Sequence, residues 1–169
     1  MSRLLIDVQH VTKRFPVGDC EVEVLKDISF QVYEGEFVAI VGQSGSGKST
    51  LLNMLTGVDR PSSGEVIVNG QSLPALSEDG LAHWRRREIG IVFQFFNLVP
   101  GLTVAQNIQL PMELAGMYTP QERSRRVTTL LDDVGLAARA GWLPSRVSGG
   151  DQQRAAIARA IANDPPLIF

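Results

Sequence analysis

Apolar and polar positions fall into two textures along the chain. Leu4 to Val11 alternates loosely and predicts a strand, and Ile28, Phe30 and Val32 on alternate positions predict another. Tyr33-Glu34-Gly35-Glu36 reads as a turn. The unbroken apolar run Phe37-Val38-Ala39-Ile40-Val41 after it suits a strand buried in a parallel sheet. Thr50 to Thr56 is helical by pattern, with Leu51, Leu52, Met54 and Leu55 apolar and Gly57 as the stop. Val66 to Val68 is a short strand entering the tight-turn pair Asn69-Gly70. Ser77 to Arg87 predicts a helix with acids at its start and arginines at its end, the arrangement the helix dipole favours. Ile89 to Phe93 is a further apolar strand. Strands and helices alternate up to this point, the mark of an α/β domain.

From Asn97 the texture turns helical. Thr103-Val104-Ala105-Gln106 and Thr119-Pro120-Gln121-Glu122 fit capping boxes, the second with proline at the first helical position. Val127, Leu130, Leu131 and Val134 recur at helical spacing before Gly135, and are read as core packing. Pro165-Pro166-Leu167-Ile168-Phe169 opens one more apolar strand. The expected organisation is a β-rich core over 1–94, a helical insert over 95–145, and over 146–169 a glycine-started helix with the opening of a strand.

Composition narrows the function classes. A chain of 169 residues with 44% hydrophobic and 20% charged residues fits one soluble domain with its own core. A formal charge of −2 gives no electrostatic case for a nucleic-acid partner. The basic clusters Arg85-Arg86-Arg87 and Arg123-Ser124-Arg125-Arg126 read as solvated helix surface. Cys20 is the single cysteine, which leaves no disulfide partner and no cysteine metal quartet. The N-terminus lacks the apolar core of a signal peptide, and no stretch approaches the roughly 20 apolar residues of a membrane span. Any attachment to a membrane is therefore expected to run through a partner.

Two glycine motifs carry the chemistry. Gly42-Gln43-Ser44-Gly45-Ser46-Gly47-Lys48-Ser49 has the spacing of a phosphate-binding loop between a strand and a helix. Its glycines let backbone N–H groups line an anion nest, and the following helix aims its positive end at the phosphates. Lys48 is placed to reach the β- and γ-phosphates, the Ser49 hydroxyl is the expected Mg²⁺ ligand, and Thr50 adds a hydroxyl near the α-phosphate. Ser148-Gly149-Gly150-Asp151 starts a second helix, with Ser148 as its cap. One chain does not easily aim both motifs at a single triphosphate, whereas two chains packed head to tail do.

The phosphate loop, Val92-Phe93-Gln94 and Val147-Ser148-Gly149-Gly150-Asp151-Gln152-Gln153-Arg154 resemble the Walker A, Q-loop and signature motifs of ABC-transporter ATPases. The resemblance covers nearly the whole chain. It is sharpest for the subgroup serving permeases of the macrolide-exporter and lipoprotein-release type, through Gly35 to Gly42, Phe93 to Pro100 and Leu102 to Asn107. It implies a P-loop NTPase core with an α-helical insert, and it implies ATP and Mg²⁺ as ligands. Phe15 then stacks on adenine, Gln94 touches Mg²⁺ or the attacking water, and Ser148, Gly149, Gly150 and Asp151 act on the ATP of a second copy. The implied partners are that second subunit and an integral membrane permease, at the cytoplasmic face of the inner membrane.

Two departures stand out against that family. Asp151 replaces the commoner Gln or Glu. The carboxylates expected after Phe169 and a switch histidine are absent, since His10 and His83 both precede the signature motif. The expectation is a chain that lacks its C-terminal strands, binds nucleotide and turns it over poorly. The alternatives are a catalytically silent regulatory fragment, and an ABC ATPase outside transport.

Overall fold

The computed structural model describes residues 2–169. The chain divides into two compact units, one ending at Leu81 and the other running from Ala82 to Phe169.

The first unit is built on a long hairpin. Strand β1 (Leu4–Val17) turns through Gly18 and Asp19 into β2 (Cys20–Tyr33), and the two pair antiparallel with several register shifts. After helix α1 (Lys48–Leu55), β3 (Ser63–Val68) pairs with the other edge of β1, and β4 (Gln71–Ser72) pairs with β3. The sheet order is β2-β1-β3-β4. Ile6 lies opposite Val68 and Val8 opposite Val66, and these four residues are buried. Helix α1 buries Leu51, Met54 and Leu55 and packs against β2 and β3. These contacts fix its first turn next to β2, where the glycine loop ends.

One expectation fails here. Phe37 to Val41 is not a buried strand: it belongs to neither sheet, and Phe37 is 98% exposed. An interior strand takes ladder hydrogen bonds from both neighbours. Neither sheet offers this run a neighbour, so its apolar side chains stay open.

Helix α2 (Glu78–Glu88) has its acids in the first turn and its arginines in the last. It leads into β5 (Ile89–Gly90), which pairs in parallel with β6 (Leu167–Ile168). The pairing continues through Phe169 N–H to Gly90 O and Val92 N–H to Phe169 O, both at 2.8 Å.

The rest of the second unit is helical: α3 (Val104–Leu114), α4 (Pro120–Asp133) and α5 (Gly149–Ala160). All three begin with complete capping boxes, at Thr103/Gln106, Thr119/Glu122 and Ser148/Asp151. Their core joins Ile108 and Met112 of α3, Val127 and Leu131 of α4, and Ala155 and Ala158 of α5. Small alanines on α5 let it sit close against α3. Asn107 is 0% exposed, and its side chain ties the turn before α3: Oδ1 accepts from Val99 N–H at 2.7 Å, and Nδ2 donates to Leu102 O and Thr103 O at 3.0 Å. Among the described residues, no helix is long and apolar enough to cross a membrane.

Candidate nucleotide-binding site

The phosphate loop lies where α1 meets β2. Gly47 caps α1 in the left-handed region with φ 90°, and its carbonyl accepts the Leu51 N–H at 2.8 Å. A Cβ at Gly47 would stand 3.0 Å from Leu25 Cδ2 and 3.2 Å from Val24 O, so glycine is required both by conformation and by approach to β2. The loop closes on itself through Ser46 N–H to Gln43 O at 3.2 Å. Lys48 Nζ donates to Gly42 O at 2.9 Å and to Gln43 O at 2.7 Å, which draws the ammonium over the mouth of its own loop.

Ser44, Gly45, Gly47, Lys48, Ser49, Thr50 and Val24 line a cavity of about 250 Å³. That is below the roughly 300–1,000 Å³ of a whole-ligand pocket and suits the phosphate end of a nucleotide. Its lining is one ammonium, three hydroxyls and the amides of a helix start. That chemistry binds oxyanions, and the hydroxyls are hard donors of the kind Mg²⁺ prefers beside phosphate oxygens. The residues therefore fit both a nucleotide triphosphate and its metal.

Phe15 belongs to the same unit. It pairs across the hairpin with Val22, two residues from the Val24 that walls the cavity. Phe15 is 36% exposed, and Lys13 Nζ lies 4.9 Å from its ring centroid. Lys13 is anchored by Asp59 Oδ1 and Arg60 O, each at 2.7 Å. Nothing in the sequence pattern marked Lys13 or Asp59, because the contact joins residues far apart in the chain.

Gln94 and the Ser148 motif lie in the second unit. Gln94 is exposed in the loop after β5. The loop ends in two consecutive left-handed residues, Phe96 (φ 59°) and Asn97 (φ 47°), a conformation that costs a non-glycine residue about 1–2 kcal/mol. Arg159 of α5 offsets that cost, donating from Nη2 to Phe96 O at 2.6 Å and from Nη1 to Asn97 O at 2.7 Å. Burial lowers the Arg159 pKa.

At the other end of α5, Gly149 and Gly150 are exposed, in a first turn whose amides have no intrahelical acceptor. Asp151 is 4% exposed and turned inward. One of its carboxylate oxygens accepts from Ser148 N–H at 3.3 Å, and the other from Arg139 Nη1 at 2.9 Å and from Arg154. The hydrogen bond with the Ser148 side chain is the largest cause holding its carboxyl below the usual range, with the Ser148 backbone, Arg139 and Arg154 adding to it. Asp151 therefore shapes the start of the helix from within. Sequence reasoning missed Arg139 and Arg159. Arg159 sits in an alanine-rich helix, and its partners lie more than 60 residues away.

Comparison with known proteins identifies the family of the chain. Residues 25–169 match the family model described as ABC transporter. An uncharacterized ABC transporter ATP-binding protein of Thermotoga maritima is 48% identical over 165 residues, covering 98% of this chain and 70% of that protein. A macrolide export ATP-binding/permease protein MacB of Marinobacter nauticus is 48% identical over 167 residues, covering 99% of this chain but 26% of its own length. The chain thus spans about a quarter of that export protein. The dimeric structure of a post-hydrolysis state of the ATP-binding cassette MJ0796 bound to ADP and Pi superposes with a TM-score of 0.89 at 42% identity, covering 97% of this chain and 72% of that one. The chain accordingly has the fold of an ABC ATPase cassette, with a P-loop NTPase core. The chain belongs to the ABC transporter family, as one of its ATP-binding cassettes.

Proposed function

We propose that this chain is the nucleotide-binding subunit of a transport complex, binding MgATP at Gly42 to Thr50 and pairing head to tail with a second copy. The observation that carries this reading is the phosphate-sized cavity between α1 and β2, lined by Lys48, Ser49 and Thr50 and walled by Val24. Lys48 exchanges its two loop carbonyls for phosphate oxygens when nucleotide enters. The amides of Gly45 and Gly47 and the α1 dipole hold the oxyanions in place. Phe15 offers its exposed ring to the base. Ser49 would hold Mg²⁺ at the loop, with Gln94 as the second proposed contact, and the ion would supply charge neutralisation to the bound phosphates. In the paired state, Ser148, Gly149 and Gly150 donate to the γ-phosphate on the other copy. Asp151 keeps that helix start in shape.

A permease is the proposed second partner. Support comes from a 270 Å³ groove in the second unit, lined among others by Arg85, Arg86, Phe93, Leu110 and Leu114. Leu114 and Phe93 are 56% and 43% exposed. Apolar side chains rimmed by arginines suit a short amphipathic helix on the cytoplasmic side of a membrane protein. The macrolide export relatives carry a permease within their own chains by name.

Equilibrium binding of MgATP to the parent chain and to Lys48→Ala tests the reading. Loss of one charge-assisted contact, about 1.5–3 kcal/mol, predicts at least a tenfold weaker affinity. Equal affinity in the two proteins would remove the phosphate loop from the account.

A further inference from the structure

We propose that Arg159 is a positioning residue for Gln94: it ties the Gln94 loop to the far end of the helix that begins at Ser148. The inference rests on the reading of Gln94 as a Mg²⁺-contacting side chain.

Three observations carry it. First, Phe96 and Asn97 are both left-handed, which brings their carbonyls to one guanidinium at 2.6 and 2.7 Å. A planar fork bonds two acceptors at once, which a lysine ammonium at the end of a flexible stem does with less geometric control. Second, between Gln94 and Asn97 the backbone is otherwise held by short-range bonds, before Asn107 takes over at Val99. These are Phe96 N–H to Phe93 O at 3.0 Å and Asn97 N–H to Phe95 O at 2.6 Å. Gln94 and Phe95 are both exposed, Phe95 at 80%. Third, Arg159 stands on a stiff element. Helix α5 spans twelve residues, about 18 Å at 1.5 Å per residue, and buries Ala155, Ala156, Ala158 and Ala160.

The consequence is mechanical. The start of α5 presents Ser148, Gly149 and Gly150, and its last turn grips the loop that carries Gln94. A tilt of the helix when its start engages a phosphate is transmitted to Gln94 through Arg159. Release of the two carbonyls would leave Phe96 and Asn97 free to relax out of the left-handed region, and Gln94 would lose its fixed position.

The test uses the whole chain as Arg159→Met, Arg159→Lys and Gln94→Ala. Two quantities are read: amide exchange at Phe96 and Asn97 without nucleotide, and the ratio of ATP affinities with and without Mg²⁺. Arg159→Met should speed exchange at both amides by about tenfold or more while leaving α3 and α4 protected. It should also shrink the Mg²⁺ ratio by about threefold or more, towards that of Gln94→Ala, with ATP affinity in chelator unchanged. A residue that only stabilised the fold would not affect Mg²⁺ dependence selectively. Arg159→Lys should recover part of both effects. If Arg159→Met does not fold, Arg159→Lys reads the same two quantities against the parent. Unchanged exchange overturns the inference. So does a parental Mg²⁺ ratio in Arg159→Met where Gln94→Ala collapses it, with the metal-contact reading left standing. If Gln94→Ala itself leaves the ratio intact, the metal-contact reading fails, and this inference falls with it.

Discussion

Replacing Gly47 by alanine tests whether the phosphate loop is packed onto β2 or merely tethered to α1. Gly47 has φ 90°, where an alanine costs about 1–2 kcal/mol in backbone conformation alone. The new methyl would also stand 3.0 Å from Leu25 Cδ2, 3.2 Å from Val24 Cγ1 and 3.2 Å from Val24 O. Leu25 is buried and Val24 O is part of a strand, so neither gives way freely, and overpacking of this kind adds about 1–3 kcal/mol. A total near 3 kcal/mol predicts a fall in Tm of about 6–12 °C for a chain of this size. Gly45 supplies the control. Its φ is 80°, yet an added Cβ meets nothing within 4 Å, so Gly45→Ala carries the conformational cost alone. About 1.5 kcal/mol predicts a fall of about 3–6 °C. The assay is thermal unfolding by circular dichroism without nucleotide, at one protein concentration. The difference between the two variants isolates the contact with β2. Equal melting of Gly45→Ala and Gly47→Ala would refute the packing of the loop on that strand.

Other predictions follow from single side chains. Phe15→Ala should weaken ATP by about 1–3 kcal/mol, the usual range for a base on an aromatic ring, and leave inorganic tripolyphosphate untouched; equal losses for both ligands would take the base off Phe15. Asn107→Ala removes a fully buried amide whose Oδ1 accepts from Val99 N–H and whose Nδ2 donates to Leu102 O and Thr103 O, at a cost of about 1–3 kcal/mol. A melting curve identical to the parent would contradict that burial. The Asp151 carboxyl lies below its ordinary value of 3.8, so its contribution to stability is complete above that pH and is lost as pH falls through the lower folded value. Removing its largest cause in Ser148→Ala should raise the Asp151 titration. A carboxyl resonance of Asp151 titrating at or above 3.8 in the parent would contradict the hydrogen-bonded pair.

Signals local to one stretch of chain were readable in the sequence, and signals that depend on distant partners were not. Thr103/Gln106, Thr119/Glu122 and Ser148/Asp151 satisfy each other within four residues, and all three capping boxes form. The glycine loop is local too, and its spacing forms a phosphate-sized cavity ahead of α1. The helix at Ser77 to Arg87 appears as α2, displaced by a single residue. By contrast, β1 and β2 each run to 14 residues, well beyond the alternating runs that announced them. Lys13, Arg14 and Glu23 are polar residues that cross-strand pairing and ion pairs keep in the ladder. Phe37 to Val41 errs the other way. Its apolar character was plain, but strand formation is a property of a pair, and no strand of either sheet lies beside it. The Arg159 grip on Phe96 and Asn97 was invisible for the same reason, since nothing near Arg159 in sequence announces a partner so far along the chain.

The most direct test of the central claim is a titration of the labelled chain with MgATP, followed by backbone amide and aromatic resonances. The account predicts saturable shifts at the amides of Ser44 to Thr50 and on the Phe15 ring, all lost in Lys48→Ala. Binding that leaves those amides unmoved would contradict it.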